Sequence, residues 1–247
     1  MKFFVRTFCA ALAVLCLNIG NAHASVVIGG TRVVFPAAQG EVTVRLTNQG
    51  KKPALMEAWI DTGDARSTPD SVHTPFLITP PLFRMDAGKD QSLRIVFVPG
   101  DTHLPTDRES LFWLNVLEIP PKPTGEAAHQ NTLQFAIRSR LKLFYRPANL
   151  PGSSLKAPDK LRFAASTGDA GVVIDVTNPT PYYITISQLV LSVDGRDYTA
   201  TTGMVAPRDH LVLKVKDLHQ AAASGSPIRF TTINDFGGGN DHQTTLQ

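Results

Sequence analysis

The sequence predicts an all-β protein folded as two sandwich domains, and three observations carry that prediction. Short runs rich in Val, Ile, Phe and Thr recur between Pro, Gly, Asn and Asp. Apolar and polar residues alternate at a spacing of two, and no stretch shows the 3.6-residue period of a helix face. Composition agrees: 43% of the 247 residues are apolar, enough for real cores, 18 glycines and 18 prolines supply turns, and only 18% of residues are charged. That balance excludes disordered, collagen-like and coiled-coil chains.

At the start of the chain, Lys2 and Arg6 precede an apolar stretch over residues 8–17, and the small-residue pattern Ala22-His23-Ala24 follows. This is the order of a secretory signal, residues 1–24, with cleavage expected after Ala24. No later segment approaches the roughly 18 uninterrupted apolar residues of a membrane span, so an exported, soluble chain with no membrane insertion is expected. Both cysteines, Cys9 and Cys16, lie in the signal, as do two of the charges behind the formal +3. The remainder is nearly neutral, which removes the electrostatic basis for binding nucleic acid. It has no disulfide to rely on and is long enough for two domains of about 100 residues each.

Six strands read in order in the first half, over 26–35, 41–48, 54–60, 92–98, 111–119 and 132–145. In the second of these, Val42, Val44 and Leu46 share one face and Thr43, Arg45 and Thr47 the other. A breaker-rich stretch, Ala148-Asn149-Leu150-Pro151-Gly152, marks a boundary near 147–155. Strand patterns resume at 161–163, 171–177 and 182–191, so the domains are drawn as 25–148 and 149–247. Val42-Thr43-Val44-Arg45-Leu46-Thr47-Asn48 is echoed by Val172-Val173-Ile174-Asp175-Val176-Thr177-Asn178, as two related sandwiches would show. Short strands with short connections predict antiparallel pairing throughout and an immunoglobulin-like sandwich in each half. Trp59 and Trp113 read as core residues on strands.

Enzyme chemistry finds little support. His73, His103, His129, His210, His219 and His242 are scattered, with no pair at metal-ligand spacing, so no metal and no cofactor are expected. No nucleophile elbow or phosphate loop is present, and Gly237-Gly238-Gly239 reads as a turn.

The unusual segment is 131–147, about 17 residues of nearly continuous strand where typical strands run 5 to 6. Leu133, Phe135 and Ile137 alternate with Gln134, Ala136 and Arg138. An ordinary core strand has the same alternation, but one this long outruns its own sandwich and leaves an edge unpaired. Such an edge is an aggregation hazard unless a partner uses it.

Lys142-Leu143-Phe144-Tyr145-Arg146-Pro147, preceded by Asp107-Arg108-Glu109-Ser110-Leu111-Phe112 and Glu118-Ile119-Pro120-Pro121, resembles the periplasmic pilus-assembly chaperones of the PapD-like family. Thr31-Arg32, Asn178-Pro179-Thr180-Pro181-Tyr182-Tyr183 and Ile233-Asn234-Asp235-Phe236-Gly237-Gly238 extend the resemblance, in the family's order, over nearly all of the mature chain. It implies two immunoglobulin-like domains at an angle with a cleft between them, and a periplasmic chaperone that completes pilus (fimbrial) subunits by donor-strand complementation and delivers them to an outer-membrane usher. Leu133, Phe135 and Ile137 are then the side chains inserted into the subunit's groove. Arg32 and Lys142 are the cations that bind the subunit's C-terminal carboxylate. Glu109, Arg146 and Asp235 form a charge cluster at the domain junction. The stretch 122–132 is short and the mature chain lacks a cysteine pair, so the chain resembles the short-loop branch.

Two other functions stay open on the residues alone. A pilus subunit or adhesin is also exported and immunoglobulin-like, but it would need an N-terminal donor extension and usually a disulfide. A periplasmic carbohydrate-binding module would need exposed aromatic platforms. Without a subunit, the apolar edge at 133–137 predicts weak self-association.

Overall fold

The computed structural model describes residues 25–125, 131, 133–168 and 171–247; the expected signal lies outside them. Among the described residues, the first half forms β1 (Val26–Ile28), β2 (Arg32–Pro36), β3 (Glu41–Asn48), β4 (Ala54–Asp61), β5 (Phe76–Thr79), β6 (Leu82–Met85), β7 (Asp90–Phe97), β8 (Ser110–Ile119) and β9 (Ile137–Arg146). One sheet runs β1-β3-β7-β5 and the other β2-β9-β8-β4-β6. Phe35, Leu46, Leu93, Ile95, Leu114 and Leu143, all fully buried, fill the space between them.

The second half adds β10 (Arg162–Gly168), β11 (Gly171–Asn178), β12 (Ile184–Val193), β13 (Arg196–Thr199), β14 (Gly203–Val205), β15 (Asp209–Lys214), β16 (Pro227–Ile233) and β17 (Gly239–Thr245). Here β10-β11-β15 faces β13-β12-β16-β17, with β14 also on β12. A separate core packs around Phe163, Ile174, Ile186, Leu191 and Phe230. The chain is therefore the all-β pair of sandwiches that its alternation predicts.

The echoed segments are β3 and β11, and they end on the same device. Asn48 Nδ2 donates to the carbonyls of Lys52 and Met85 while its Oδ1 accepts from Gly50 N. Asn178 Nδ2 donates to the carbonyls of Tyr182 and Ala206 while its Oδ1 accepts from Thr180 N. Both side chains are fully buried, and each satisfies backbone groups that a turn would otherwise leave unpaired.

Four expectations are corrected. The run 26–35 is two strands: the chain turns at Gly29-Gly30, where Gly30 has a φ of 143°, and passes from β3 in one sheet to β9 in the other. Pairing is not all antiparallel, because β2 lies parallel to β9 from Arg32↔Lys142 to Pro36↔Arg146. Parallel neighbours need a long connection. Here it is almost the whole domain, so the short loops between successive strands do not report it.

The segment 131–147 is not one continuous strand. β9 begins at Ile137, opposite Glu118, because β8 runs out one residue later and Pro120 and Pro121 have no N–H to extend the ladder. Finally, the tryptophans lie on the outer face of their sheet. Ala58, Ile60, Phe112, Leu114 and Val116 point into the core, so parity turns Trp59 and Trp113 away from it. Trp59 is still buried, but under Arg138, and Trp113 is half-buried under Arg140.

Candidate functional site

Even-numbered residues of β9 point away from the core of the first domain and odd-numbered ones into it, as Leu141, Leu143 and Tyr145 show. Lys142, Phe144 and Arg146 therefore face the second domain, and the parallel register sets Arg32 beside Lys142. Arg32, Phe144 and Arg146 line a pocket between the domains together with Tyr183, Ile233 and Asp235, and Lys142 reaches the second domain beside it at Thr185.

Among the described residues, neither cation is paired with a carboxylate within salt-bridge distance. Arg32 Nη1 donates to the Ile233 carbonyl at 3.0 Å, its guanidinium lies 5.9 Å from the Phe144 ring centroid, and its Nε is buried with no partner among the described residues. Lys142 Nζ donates to Thr185 Oγ1 at 3.2 Å. Burial pulls the Arg32 pKa down, against the pull of Asp235 in the other direction. Burial, and then Arg32 beside it, pull the Lys142 pKa down. Two adjacent, half-buried cations with open donor capacity make a seat for an anion.

Next to them lies a charge cluster. Arg146 Nε donates to Glu109 Oε1 at 2.6 Å, and its two terminal nitrogens donate to Asp235 at 2.8 and 2.9 Å. Glu109 Oε2 accepts from Tyr183 N at 2.8 Å, and Asp235 accepts from Ser154 Oγ at 2.9 Å. Burial alone would push both carboxyls up. For Glu109 it wins and the pKa is raised, whereas for Asp235 the fork from Arg146 outweighs it and the pKa is lowered. Burial opposes the charge on Arg146, yet its hydrogen bonds and ion pairs with Asp235 and Glu109 raise its pKa well above the ordinary arginine value.

The approach is close enough to demand glycine at position 237. It has a φ of 86°, and a Cβ there would lie 2.4 Å from Thr31 Oγ1 of the first domain. Gly237 and Gly238 lie in the turn that joins β16 to β17, with Gly237 N donating to the Asn234 carbonyl, while Gly239 already opens β17 opposite Ile233.

The third group of predicted residues lies at the other end of β9. Leu133, Phe135 and Ile137 are 79%, 69% and 56% exposed, and apart from Ile137 they precede the paired strand. Residues 126–130 and 132 of the preceding stretch lie outside the described residues.

The structure thus brings together Arg32 with Lys142, and Glu109 with Arg146 and Asp235, and it sets the three apolar side chains apart from both. Thr185, Ser154 and Tyr183 join these groups without having been singled out. Only Tyr183 stood in a quoted motif; hydroxyls such as Thr185 and Ser154 carry no spacing signal.

Family models match both halves: the pili and flagellar-assembly chaperone PapD N-terminal domain over residues 25–151, and the pili assembly chaperone PapD C-terminal domain over residues 156–244. The chain belongs to the PapD-like family of pilus-assembly chaperones. The chaperone protein FimB/FhaD of Bordetella pertussis is 46% identical over 91% of this chain and 89% of its own. The crystal structure of the Escherichia coli YadV chaperone superposes with a TM-score of 0.77 at 40% identity, covering 90% of this chain and all of that one. The Salmonella enterica SafA pilin in complex with the SafB chaperone matches at 31% identity and a TM-score of 0.73, over 92% of this chain and 99% of that one.

Family membership makes this chain a chaperone rather than an enzyme, and it sets aside the pilus-subunit, adhesin and carbohydrate-module readings. The tryptophan faces a sugar would need are in any case covered by guanidinium groups. No helix among the described residues is long and apolar enough to cross a membrane.

Proposed function

We propose that this chain is a periplasmic chaperone that completes the fold of pilus subunits by lending them residues 133–137, and that it hands them to an outer-membrane usher. The observation that carries the proposal is the run Leu133, Phe135, Ile137: alternating, mostly exposed apolar side chains that continue a paired strand past the end of its partner. Donor-strand complementation between chaperone and pilin is an established form of strand addition, in which main-chain hydrogen bonds give affinity and alternate side chains fill pockets. A relative's structure with a pilin fits the same partner class.

Each large apolar side chain that becomes buried contributes roughly 1.5–3 kcal/mol. Association and ordering costs take back much of that gain. The remainder suits a subunit that must be protected and later released to a competing strand. Arg32 and Lys142 receive the subunit's C-terminal carboxylate, and this fixed end sets which subunit residues meet the three apolar side chains. Glu109, Arg146 and Asp235 hold the angle between the domains and so the shape of the seat. Export follows from the signal over residues 1–24, with cleavage after Ala24, and the domains divide at 148/149.

Co-expression with a pilin encoded in the same gene cluster tests the anchor. Arg32→Ala should abolish recovery of the pair while leaving the chaperone folded, and undiminished recovery would remove the carboxylate role.

A further inference from the structure

On the outer face of β9, immediately after the last exposed apolar residue, lies a closed polar network that the strand-lending reading does not use. Asp61, at the end of β4, is 1% exposed in its side chain. It accepts from Arg140 Nη2 at 2.6 Å, Arg140 Nε at 3.2 Å, Asn115 Nδ2 at 2.7 Å, Ser67 Oγ at 3.2 Å and Gly63 N at 2.7 Å. Arg138 completes the network. Its Nε and Nη2 donate to Asn115 Oδ1 at 2.9 and 2.7 Å, its Nη1 to the Ala65 carbonyl at 2.8 Å, and its Nη2 also to Ser67 Oγ at 3.2 Å. Its guanidinium lies 4.6 Å from the Trp59 ring centroid, while that of Arg140 lies 4.2 Å from Trp113.

A buried polar network with every member satisfied specifies one arrangement and penalises others, because each displaced group is left unpaired in a low dielectric. Its place in the fold gives that rigidity a use. The ladder of β9 ends at Ile137↔Glu118, one residue before Arg138, and the segment beyond is unpaired. A one-residue slip of β9 would turn Leu133, Phe135 and Ile137 to the opposite face, and a two-residue slip would shift each by one pocket.

Arg140 alone does not prevent the second error, since a slip of two residues would bring Arg138 into its place at Asp61. Ala136 would then arrive where Arg138 stood, and it cannot bond the oxygens of Asn115, Ala65 and Ser67. Among the polar side chains on this outer face, the residue that distinguishes these two registers is therefore Arg138.

We propose that Arg138, backed by Asn115 and Asp61, is a positioning residue that fixes the register in which the lent segment leaves the sheet, and hence which subunit pocket each apolar side chain enters. This rests on the strand-lending reading, so the test includes a control for that reading. The full chain is co-expressed with a pilin from its own gene cluster, and the cysteine of Ala136→Cys, which faces away from the groove, is cross-linked to single cysteines scanned along the outer face of the pilin strands that flank it. One pilin position should react.

In the Arg138→Gln background, neighbouring positions should react as well. In the free chain, the amides of Ser139 and Leu141 should exchange about tenfold faster, as expected on losing a charge-assisted bond from a local opening. Arg138→Lys keeps a cation over Trp59 and supplies the same two readouts if the glutamine variant fails to fold. A single cross-linked position and unchanged exchange in a folded Arg138 variant would overturn the positioning role. Phe135→Glu separates the two ideas: if it abolishes capture in that case, strand lending stands alone, and if it captures normally, strand lending itself fails.

Discussion

Phe135 offers a perturbation whose cost falls almost entirely on the complex. In the free chain it is 69% exposed and precedes the paired strand, so Phe135→Glu removes no core contact and should leave stability unchanged to within about 0.5 kcal/mol. On capture the ring should enter the subunit. An aromatic side chain buries up to ~200 Å². With 69% of it still exposed, docking removes about 140 Å² more from water. At ~25 cal/mol per Å² that is about 3.5 kcal/mol. At a factor of ten per ~1.4 kcal/mol, losing this one ring should raise the dissociation constant by roughly a few hundredfold. An unpaired glutamate in its place adds a desolvation cost of the same sign. Titration of refolded pilin against each chaperone, with thermal unfolding as a control, measures both sides. A variant that binds within about threefold of the native chain would refute the assignment of Phe135 to the groove.

Further outcomes follow from the same geometry. Binding through Lys142 needs its charged form, and burial lowers its pKa, so capture should weaken on raising the pH sooner than an ordinary lysine would dictate. Lys142→Arg should flatten that limb of a pH titration. On acidification Glu109, its pKa raised by burial, should protonate before Asp235, whose pKa is lowered. By sign, the stabilisation held through Asp235 is present at neutral pH and lost only as pH falls through its depressed folded-state value, while ionised Glu109 opposes folding above its raised value. Carboxyl resonances followed by NMR should titrate in that order. Asn48→Ala and Asn178→Ala each leave buried backbone groups unpaired and should each cost about 2–4 kcal/mol in chemical unfolding, each acting on its own domain. Sedimentation of the subunit-free chain should show weak self-association that Phe135→Glu abolishes.

How much of this was legible depends on the range of the interaction concerned. Alternation within β3, β4 and β8 is local, and it is visible wherever one face is polar. The strand β17 reads Gly-Asn-Asp-His-Gln-Thr-Thr, with no apolar residue to alternate, and β5 and β6 are four-residue strands separated by Pro80 and Pro81. These left no periodic trace. Trp59 and Trp113 were placed on the wrong face because they have apolar neighbours on both sides in the sequence, so parity was undetermined until the sheet chose it. The resemblance supplied Arg32, Lys142, Glu109, Arg146 and Asp235. Their adjacency depends on a parallel pair and a domain junction that no local pattern encodes. The contacts among Asp61, Asn115 and Arg138 are hidden for the same reason, although a lone asparagine between Leu114 and Val116 signals a buried polar partner.

The parallel seam between β2 and β9 ties the beginning of the first domain to its end. Arg32 is synthesised early, but its neighbour Lys142 arrives only when nearly all of that domain has emerged, and contacts of such sequence separation form late. A truncated or half-folded copy therefore cannot present both positive charges side by side. The chaperone's own completeness is a precondition for recognising an incomplete client.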